Sequence, residues 1–184
     1  MSSNFDKEKY TDETGEIYIR PMTYDDLEDI VRWRNSGEIK KYFIYRGEFT
    51  YENQVEWMKN HVETGEVAQM IICMRASVDG KERKVGCVYI RDIDMKNKKG
   101  EYGVFIGEAD ARGRGIGTKV AKLMLRYGFE ELGLHRIYLR AIEGNERAVK
   151  SYENAGFVKE GFLRDDVVID GKYVSVTWMA AINE

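Results

Sequence analysis

Proline, cysteine, histidine and long apolar runs are all scarce in this chain of 184 residues, and each scarcity excludes something. No apolar run nears the roughly 18 residues of a membrane-spanning helix. Only two cysteines are present. Cys73 and Cys87 sit in apolar, strand-like surroundings without Cys-x-x-Cys spacing or a nearby histidine, so they read as buried free thiols of a reducing compartment, and no metal site is expected. His61 and His135 have no acidic or cysteine partner at a useful spacing, which leaves structural or surface roles. The single proline, Pro21, stops a short strand candidate at Ile17–Arg20. The stretch Met1–Gly15 is polar and has no apolar core, so it reads as a flexible polar tail rather than a secretory signal. A cytoplasmic protein with one domain over 16–184 is the expectation.

Basic excess is also missing. The formal net charge is −3, which disfavours general nucleic-acid binding. Charge is uneven, however: residues 1–70 carry 9 Lys+Arg against 15 Asp+Glu, and the remainder 20 against 17. An acidic first part would welcome a cationic partner and a basic second part an anionic one, or the asymmetry is simply that of a solvated surface.

What is present is a mixture of short strands and amphipathic helices, with 43% hydrophobic residues to build a core. Thr23 is placed to cap a helix to about Asn35 with Leu27, Ile30, Val31 and Arg34 on one face. Thr50 caps a second helix, with Val55, Met58 and His61 or Val62 turned inward. Strands are predicted over Ala68–Arg75, Lys84–Asp92 and Glu101–Gly107, the first two joined by a turn at Asp79-Gly80. A long helix follows with a stripe of Ile116, Val120, Leu123, Met124 and Tyr127. Next come a strand over Arg136–Ile142 and a helix from Asn145 with Ala148, Val149, Tyr152 and Ala155 on its apolar face. Gly156 stands in its C′ position. Strands Val158–Ile169 and Tyr173–Ile182, joined at Asp170-Gly171, close the chain. This order predicts an α/β (α+β) fold with a mixed sheet.

The most informative segment is Arg112-Gly113-Arg114-Gly115-Ile116-Gly117-Thr118, between a strand and the long helix. A glycine-rich turn opening a helix gathers unpaired N–H groups at the positive end of the helix dipole and suits a phosphate or pyrophosphate. A dinucleotide fingerprint is a poor match, because Thr118 stands where its last glycine belongs and Glu130 and Glu131 fall too early to be its acid. The Gly-Lys-Ser/Thr of a P-loop is absent.

The pattern that fits is Arg-x-x-Gly-x-Gly from Arg112. Downstream runs Asn145-x-x-Ala148-x-x-x-Tyr152-x-x-x-Gly156-Phe157. In this pair of ordered motifs the chain resembles the GNAT superfamily of N-acetyltransferases, over about Ile17 to Ile182. Trp33-Arg34-Asn35, Glu160-Gly161 and Asp170-Gly171-Lys172-Tyr173 resemble the branch that includes ribosomal-protein N-terminal, spermidine and aminosugar acetyltransferases. Ser175 stands where many members have Asp, so that acid's role does not carry over.

The resemblance implies a sheet of about seven strands, splayed after the fourth and flanked by about four helices, with acetyl-CoA as cosubstrate. Val104, Phe105 and Ile106 would run along the pantetheine, while Arg112, Gly113, Arg114, Gly115, Ile116, Gly117 and Thr118 would hold the pyrophosphate. Asn145, an N-cap by position, would also contact CoA or a water. Tyr152 belongs to a buried helix face by periodicity alone, and the resemblance makes it the general acid for the departing thiolate. Glu101 is either a base acting on the incoming ammonium through water or a solvated strand-end carboxylate. Trp33, Arg34 and Asn35, with Tyr42, Tyr45 and Trp57, fall where the acceptor would bind, although helix packing suits both tryptophans better than substrate contact.

The expected activity is direct acetyl transfer, in a ternary complex, to a small amine (polyamine or aminosugar) or a protein N-terminus. The resemblance also implies a homodimer. The competing reading is a non-catalytic acyl-CoA-binding regulatory module, against which both Asn145 and Tyr152 stand.

Overall fold

The computed structural model describes residues 5–75 and 82–184; the turn expected at Asp79-Gly80 lies outside them. Seven strands form one mixed sheet in the order β1-β2-β3-β4-β5-β7-β6. They are β1 (Ile17–Pro21), β2 (Ala68–Arg75), β3 (Glu82–Asp94), β4 (Lys99–Ile106), β5 (Arg136–Ile142), β6 (Val158–Ile169) and β7 (Lys172–Ile182). All neighbours are antiparallel except β4 and β5. Helices are α1 (Leu27–Asn35), α2 (Gly37–Lys40), α3 (Tyr51–Trp57), α4 (Ile116–Glu130) and α5 (Glu146–Ala155).

Strand alternation sorts two cores onto the two faces. Ile17, Ile19, Met70, Ile72, Val88, Ile90 and Tyr102 pack beneath α4 and α5. Tyr18, Ile71, Cys73, Cys87 and Phe105 face the other way, toward α1 and Met58. Burying both faces stabilises the sheet at about 25 cal/mol per Å² of apolar surface removed from water.

Several expectations need correction. In α1 the buried face is Leu27, Ile30 and Trp33, so Trp33 takes the inward place expected of Val31. Thr23 stands ahead of one tight turn, Tyr24–Asp26, before α1 begins; its N–H donates to Asp26 Oδ2 at 2.8 Å. In α3 the fully buried side chain is Gln54, with Val55 only partly covered. The apolar face of α5 is half-buried rather than buried, since Val149, Tyr152 and Ala155 lie at the rim of the core.

Residues 5–15 are not a loose tail. Tyr10 is 2% exposed, stacks on Phe5, meets Tyr127 edge-on, and donates to Glu131 Oε1 at 2.7 Å. Asp12 pairs with Lys119 of α4 at 2.6 Å, and Thr11 bridges to Tyr18. A polar composition hid this anchoring because one tyrosine and one aspartate carry it.

What positions the site is the junction of β4 and β5. They pair only at Lys99–Glu101 with Arg136–Tyr138. Beyond Glu101 the strands diverge, and β4 keeps its ladder to β3 through Ile106. The backbone groups of Tyr102–Ile106 that point away from β3 therefore have no strand partner. Chains rarely leave such groups unsatisfied except where a ligand takes the missing strand's place.

Candidate active site

A continuous cleft of about 1330 Å³ runs from the glycine turn, along the open edge of β4, to Trp57 and the loop after α2. Its donor end is built by backbone. Gly113 (φ 83°) and Gly115 (φ 75°) are both left-handed, and Gly115 immediately precedes α4, so N–H groups of the first helical turn face the cleft. A Cβ on Gly117 would stand 3.0 Å from Ser151 Oγ, which shows how closely α4 approaches α5.

The predicted donor-site residues divide by what they touch. Gly113, Gly115, Ile116, Gly117, Thr118 and Asn145 line the cleft, as do Val104, Phe105 and Ile106. Ile116 is mainly core at 4% exposure. The Thr118 hydroxyl bonds Ser151 Oγ at 2.9 Å, tying the two helices. Arg112 donates to the carbonyls of Ile106 (3.0 Å) and Gly107 (2.9 Å) and pairs with Glu38, so it braces the turn. Arg114 is exposed and lies outside the cleft wall. Asn145 occupies the N-cap position, yet its side chain makes no capping bond. Its carbonyl receives Ala148 N and Val149 N instead, which leaves the amide uncommitted at the cleft wall.

Tyr152 stands where α5 crosses the open edge. Its ring packs against Tyr102 and Phe157, each with centroids 5.9 Å away. Burial pushes its phenol pKa well above the ordinary value, so the group is protonated at neutral pH. Beside it the Tyr102 hydroxyl is buried and has no hydrogen-bond partner. An orphaned hydroxyl, an unpaired strand edge and a glycine-lined helix start along one cleft fit an extended acyl-CoA.

Glu101 is neither solvated nor free. It is 5% exposed and held by two guanidinium groups. Arg91, its cross-strand partner on β3, donates Nε and Nη2 to Oε2 at 3.1 and 3.0 Å. Arg140 of β5 donates Nε to Oε1 at 2.8 Å and Nη2 to Oε2 at 3.2 Å. Burial alone would raise this carboxyl's pKa, but the hydrogen bonds from Arg140 and the charges of both arginines outweigh it and leave it below the usual value. A carboxylate with both oxygens taken and its basicity lowered is a poor proton acceptor.

The three consecutive residues of the first helix also part company. Trp33 is 1% exposed, donates Nε1 to Glu108 at 2.8 Å and lies against Gly107, where any Cβ would come within 2.3 Å of its ring. Asn35 clamps the Phe49 backbone through both ends of its amide, at 2.7 and 3.0 Å. Both therefore hold the wall, and only Arg34 of the three lines the cleft. Trp57 lines it too, with its indole N–H on Gln69 at 2.9 Å. Arg46 reaches Asp170 of the last hairpin turn, so the loop after α2 and that hairpin meet.

Sequence reasoning missed Tyr89, Arg91 and Arg140. Tyr89 lies over Gly103, whose missing side chain makes the room. The available signal was a polar or charged residue recurring at alternate positions in otherwise apolar strands. His61 does have an acidic neighbour, Glu66, at 2.9 Å, though the pair is exposed. Cys73 and Cys87 are free and buried, with both thiols pushed up to about 12 by burial, and neither lines the cleft. Ser175 is buried and its Oγ accepts from Asp165 N at 3.4 Å, away from the cleft.

A sheet opened beside a glycine turn, with a protonated phenol at the fork, defines an acyl-CoA-dependent transferase. A family model for the acetyltransferase (GNAT) domain matches residues 16–158, and the chain belongs to that family. The spermidine N(1)-acetyltransferase of Escherichia coli K12 is 26% identical over 157 residues, covering 85% of this chain and 81% of that protein. The Vibrio cholerae spermidine N(1)-acetyltransferase is 26% identical over 165 residues, 90% of this chain and 92% of that one. A putative ribosomal N-acetyltransferase of Bacillus subtilis is 31% identical over 97 residues, 53% of this chain and 52% of that one. The crystal structure of the Vibrio cholerae spermidine N-acetyltransferase in complex with CoA and spermine matches with a TM-score of 0.82 at 25% identity, covering 91% of this chain and 95% of that chain. The chain is thus an N-acetyltransferase. Among the described residues no helix is long and apolar enough to cross a membrane, and no group of acidic, histidine or cysteine side chains could hold a metal.

Proposed function

We propose that this protein transfers the acetyl group of acetyl-CoA to the primary amine of a small molecule by direct attack in a ternary complex. The observation that carries this reading is the protonated Tyr152 phenol beside the unpaired edge of β4, in one cleft with the glycine turn. Acetyl-CoA supplies the thioester carbonyl as electrophile. Backbone N–H groups of Val104–Ile106 would polarise it, and the N–H groups at Gly113–Thr118 would bind the pyrophosphate. As the C–N bond forms and the C–S bond breaks, Tyr152 gives its proton to the leaving thiolate, and the proton that the attacking nitrogen sheds returns through solvent to restore the phenol.

The nucleophile has to be neutral, and Glu101 does not serve as its base. Arg34, Arg91 and Arg140 line the same cleft, and a cationic neighbourhood lowers the pKa of an incoming ammonium, which then loses its proton to solvent. The structural cysteines support the direct route, since neither reaches the cleft to form an acyl-enzyme, and their free state supports a cytoplasmic setting. A thiol-release assay with acetyl-CoA over polyamines, amino sugars, amino acids and N-terminal peptides tests the reading. Amine-dependent CoA release with at least one class is expected; silence across the panel, with CoA still bound, would favour a binding module.

A further inference from the structure

The charges of the acceptor end do not suit a polycation. Its charged lining consists of Arg34, Lys41, Arg91 and Arg140 against Glu38, Glu48 and Glu101, a balance of one positive charge. Glu101 is the buried carboxylate of the cleft, and both its oxygens are spent on Arg91 and Arg140. Glu48 and Glu38 are exposed at the rim, and Glu38 is paired with Arg112. Other acidic residues of 1–70 are committed outside the cleft. Asp26 and Asp29 pair with Arg20, Lys84 and Arg32, Glu63 accepts from Tyr24, and Glu66 sits on His61.

Arg34 is the unusual member. Its guanidinium stacks over Phe43 at 3.8 Å and Phe49 at 4.4 Å, with Phe105 at 5.8 Å. Among the described residues no carboxylate lies within 4 Å of it, and its polar neighbour is the neutral Tyr89 phenol. The groups that bear on it are Tyr89, Cys87 and Arg91, none an anion at neutral pH. Aromatic faces hold the guanidinium plane, and one phenol oxygen leaves most of its five donors without an anionic partner. Burying a cation without a counter-charge is costly unless a ligand supplies one, and burial indeed holds its pKa below the ordinary arginine value.

Resting on the acetyl-transfer reading above, we propose that the acceptor is an amine that also carries an anionic group, a carboxylate or a phosphate, and that Arg34 seats that group. Two of the relatives named above are spermidine N(1)-acetyltransferases; here the acceptor end carries the same sign of charge as spermidine. Arg34 is then a specificity-determining residue, fixed by its aromatic cage so that little side-chain entropy is lost when the anion binds.

Matched acceptors on the full chain test this: glucosamine 6-phosphate with glucosamine, glycylglycine with glycylglycinamide, and spermidine, all at one ionic strength. In at least one pair the anionic member should have a kcat/KM about tenfold or more above its neutral partner, mainly through KM, with spermidine below both. In Arg34→Gln, which keeps much of the stacking volume, the anionic-to-neutral ratio should fall to about twofold or less, and Arg34→Lys should retain part of it. Spermidine outrunning every anionic amine, or the same ratio in Arg34→Gln, would overturn the proposal. If no amine is acetylated, the transfer reading fails, and anion recognition is read separately by thermal shift of the CoA-saturated protein, where CoA blocks the pyrophosphate seat. A shift with glucosamine 6-phosphate but not glucosamine, lost in Arg34→Gln, supports the anion seat; no shift, or one unchanged in the variant, refutes it.

Discussion

The two ends of the cleft are built on different plans. The donor end is made largely by main chain from two short segments, the open edge Tyr102–Ile106 and the turn Arg112–Thr118 that leads into α4. The acceptor end is made by side chains that four separate elements bring together: Arg34 from α1, Arg91 from β3, Glu101 from β4 and Arg140 from β5. Backbone cradles tolerate side-chain change as long as dihedrals and helix start survive. A side-chain constellation depends on each charge, because Arg91, Arg140 and Glu101 balance one another while Arg34 stands without a counter-charge. The difference predicts that substitutions at the two ends separate cleanly into donor and acceptor parameters, with Tyr152 at the fork affecting both ends through the chemical step.

The largest effect should come at that fork. Tyr152→Phe keeps the ring packing against Tyr102 and Phe157 while removing the proton donor, so kcat should fall roughly 100-fold with acetyl-CoA affinity little changed. Steady-state kinetics beside direct CoA titration would decide; unaltered turnover would remove Tyr152 from the mechanism. Because burial raises its pKa, the phenol keeps its proton throughout the neutral range, so Tyr152 should contribute no alkaline limb below about pH 10.

Next in size is the carboxylate that anchors the acceptor end. Glu101→Gln leaves Arg91 and Arg140 facing each other without an anion. A loss of roughly 2–3 kcal/mol in chemical denaturation is expected, below the figure for a fully buried pair because both arginines still reach solvent. Acceptor KM should rise more than acetyl-CoA KM. The sign of the pH effect follows from the lowered pKa: Glu101 stabilises the fold fully above its unfolded value of about 4.3, and that contribution is lost as pH falls through the lower folded value. A rate limb between pH 6 and 8 that survives in Glu101→Gln, as expected, belongs to the acceptor's amine; its disappearance would restore Glu101 as a base.

The smallest effect is expected at the donor end. Gly115→Ala places a side chain at φ 75°, with open space around the new methyl, so the strain is about 1 kcal/mol. The KM for acetyl-CoA should rise about fivefold while discrimination among acceptors is unaffected. A change in acceptor preference would break the separation of the two ends.

How much could be read in advance follows the same division. Both ordered motifs, the α4 stripe, β5, β6 and the final turn with Asp170 (φ 51°) and Gly171 (φ 76°) were legible, because each depends on residues within one or two turns of one another. The donor followed from a single contiguous segment. Glu101 was seen as a residue with a role, but its partners come from Arg91, ten positions back, and Arg140, thirty-nine positions ahead, and no local pattern announces that clamp. Trp33, Arg34 and Asn35 were singled out as a group, yet adjacent helical positions face different ways, and the fold gave the core, the cleft and a loop clamp to one each. The charge asymmetry pointed toward a cationic partner, but the fold commits Asp26 and Asp29 to ion pairs outside the cleft.

The sequence by itself determined the family, the fold's element order and the chemistry of the donor, because apolar periodicity and backbone-binding turns are local properties. Tertiary structure alone decided the charge of the acceptor end. Electrostatics depends on distance in space, and here strand pairing places two arginines on one glutamate while an aromatic cage holds Arg34 without a counter-charge.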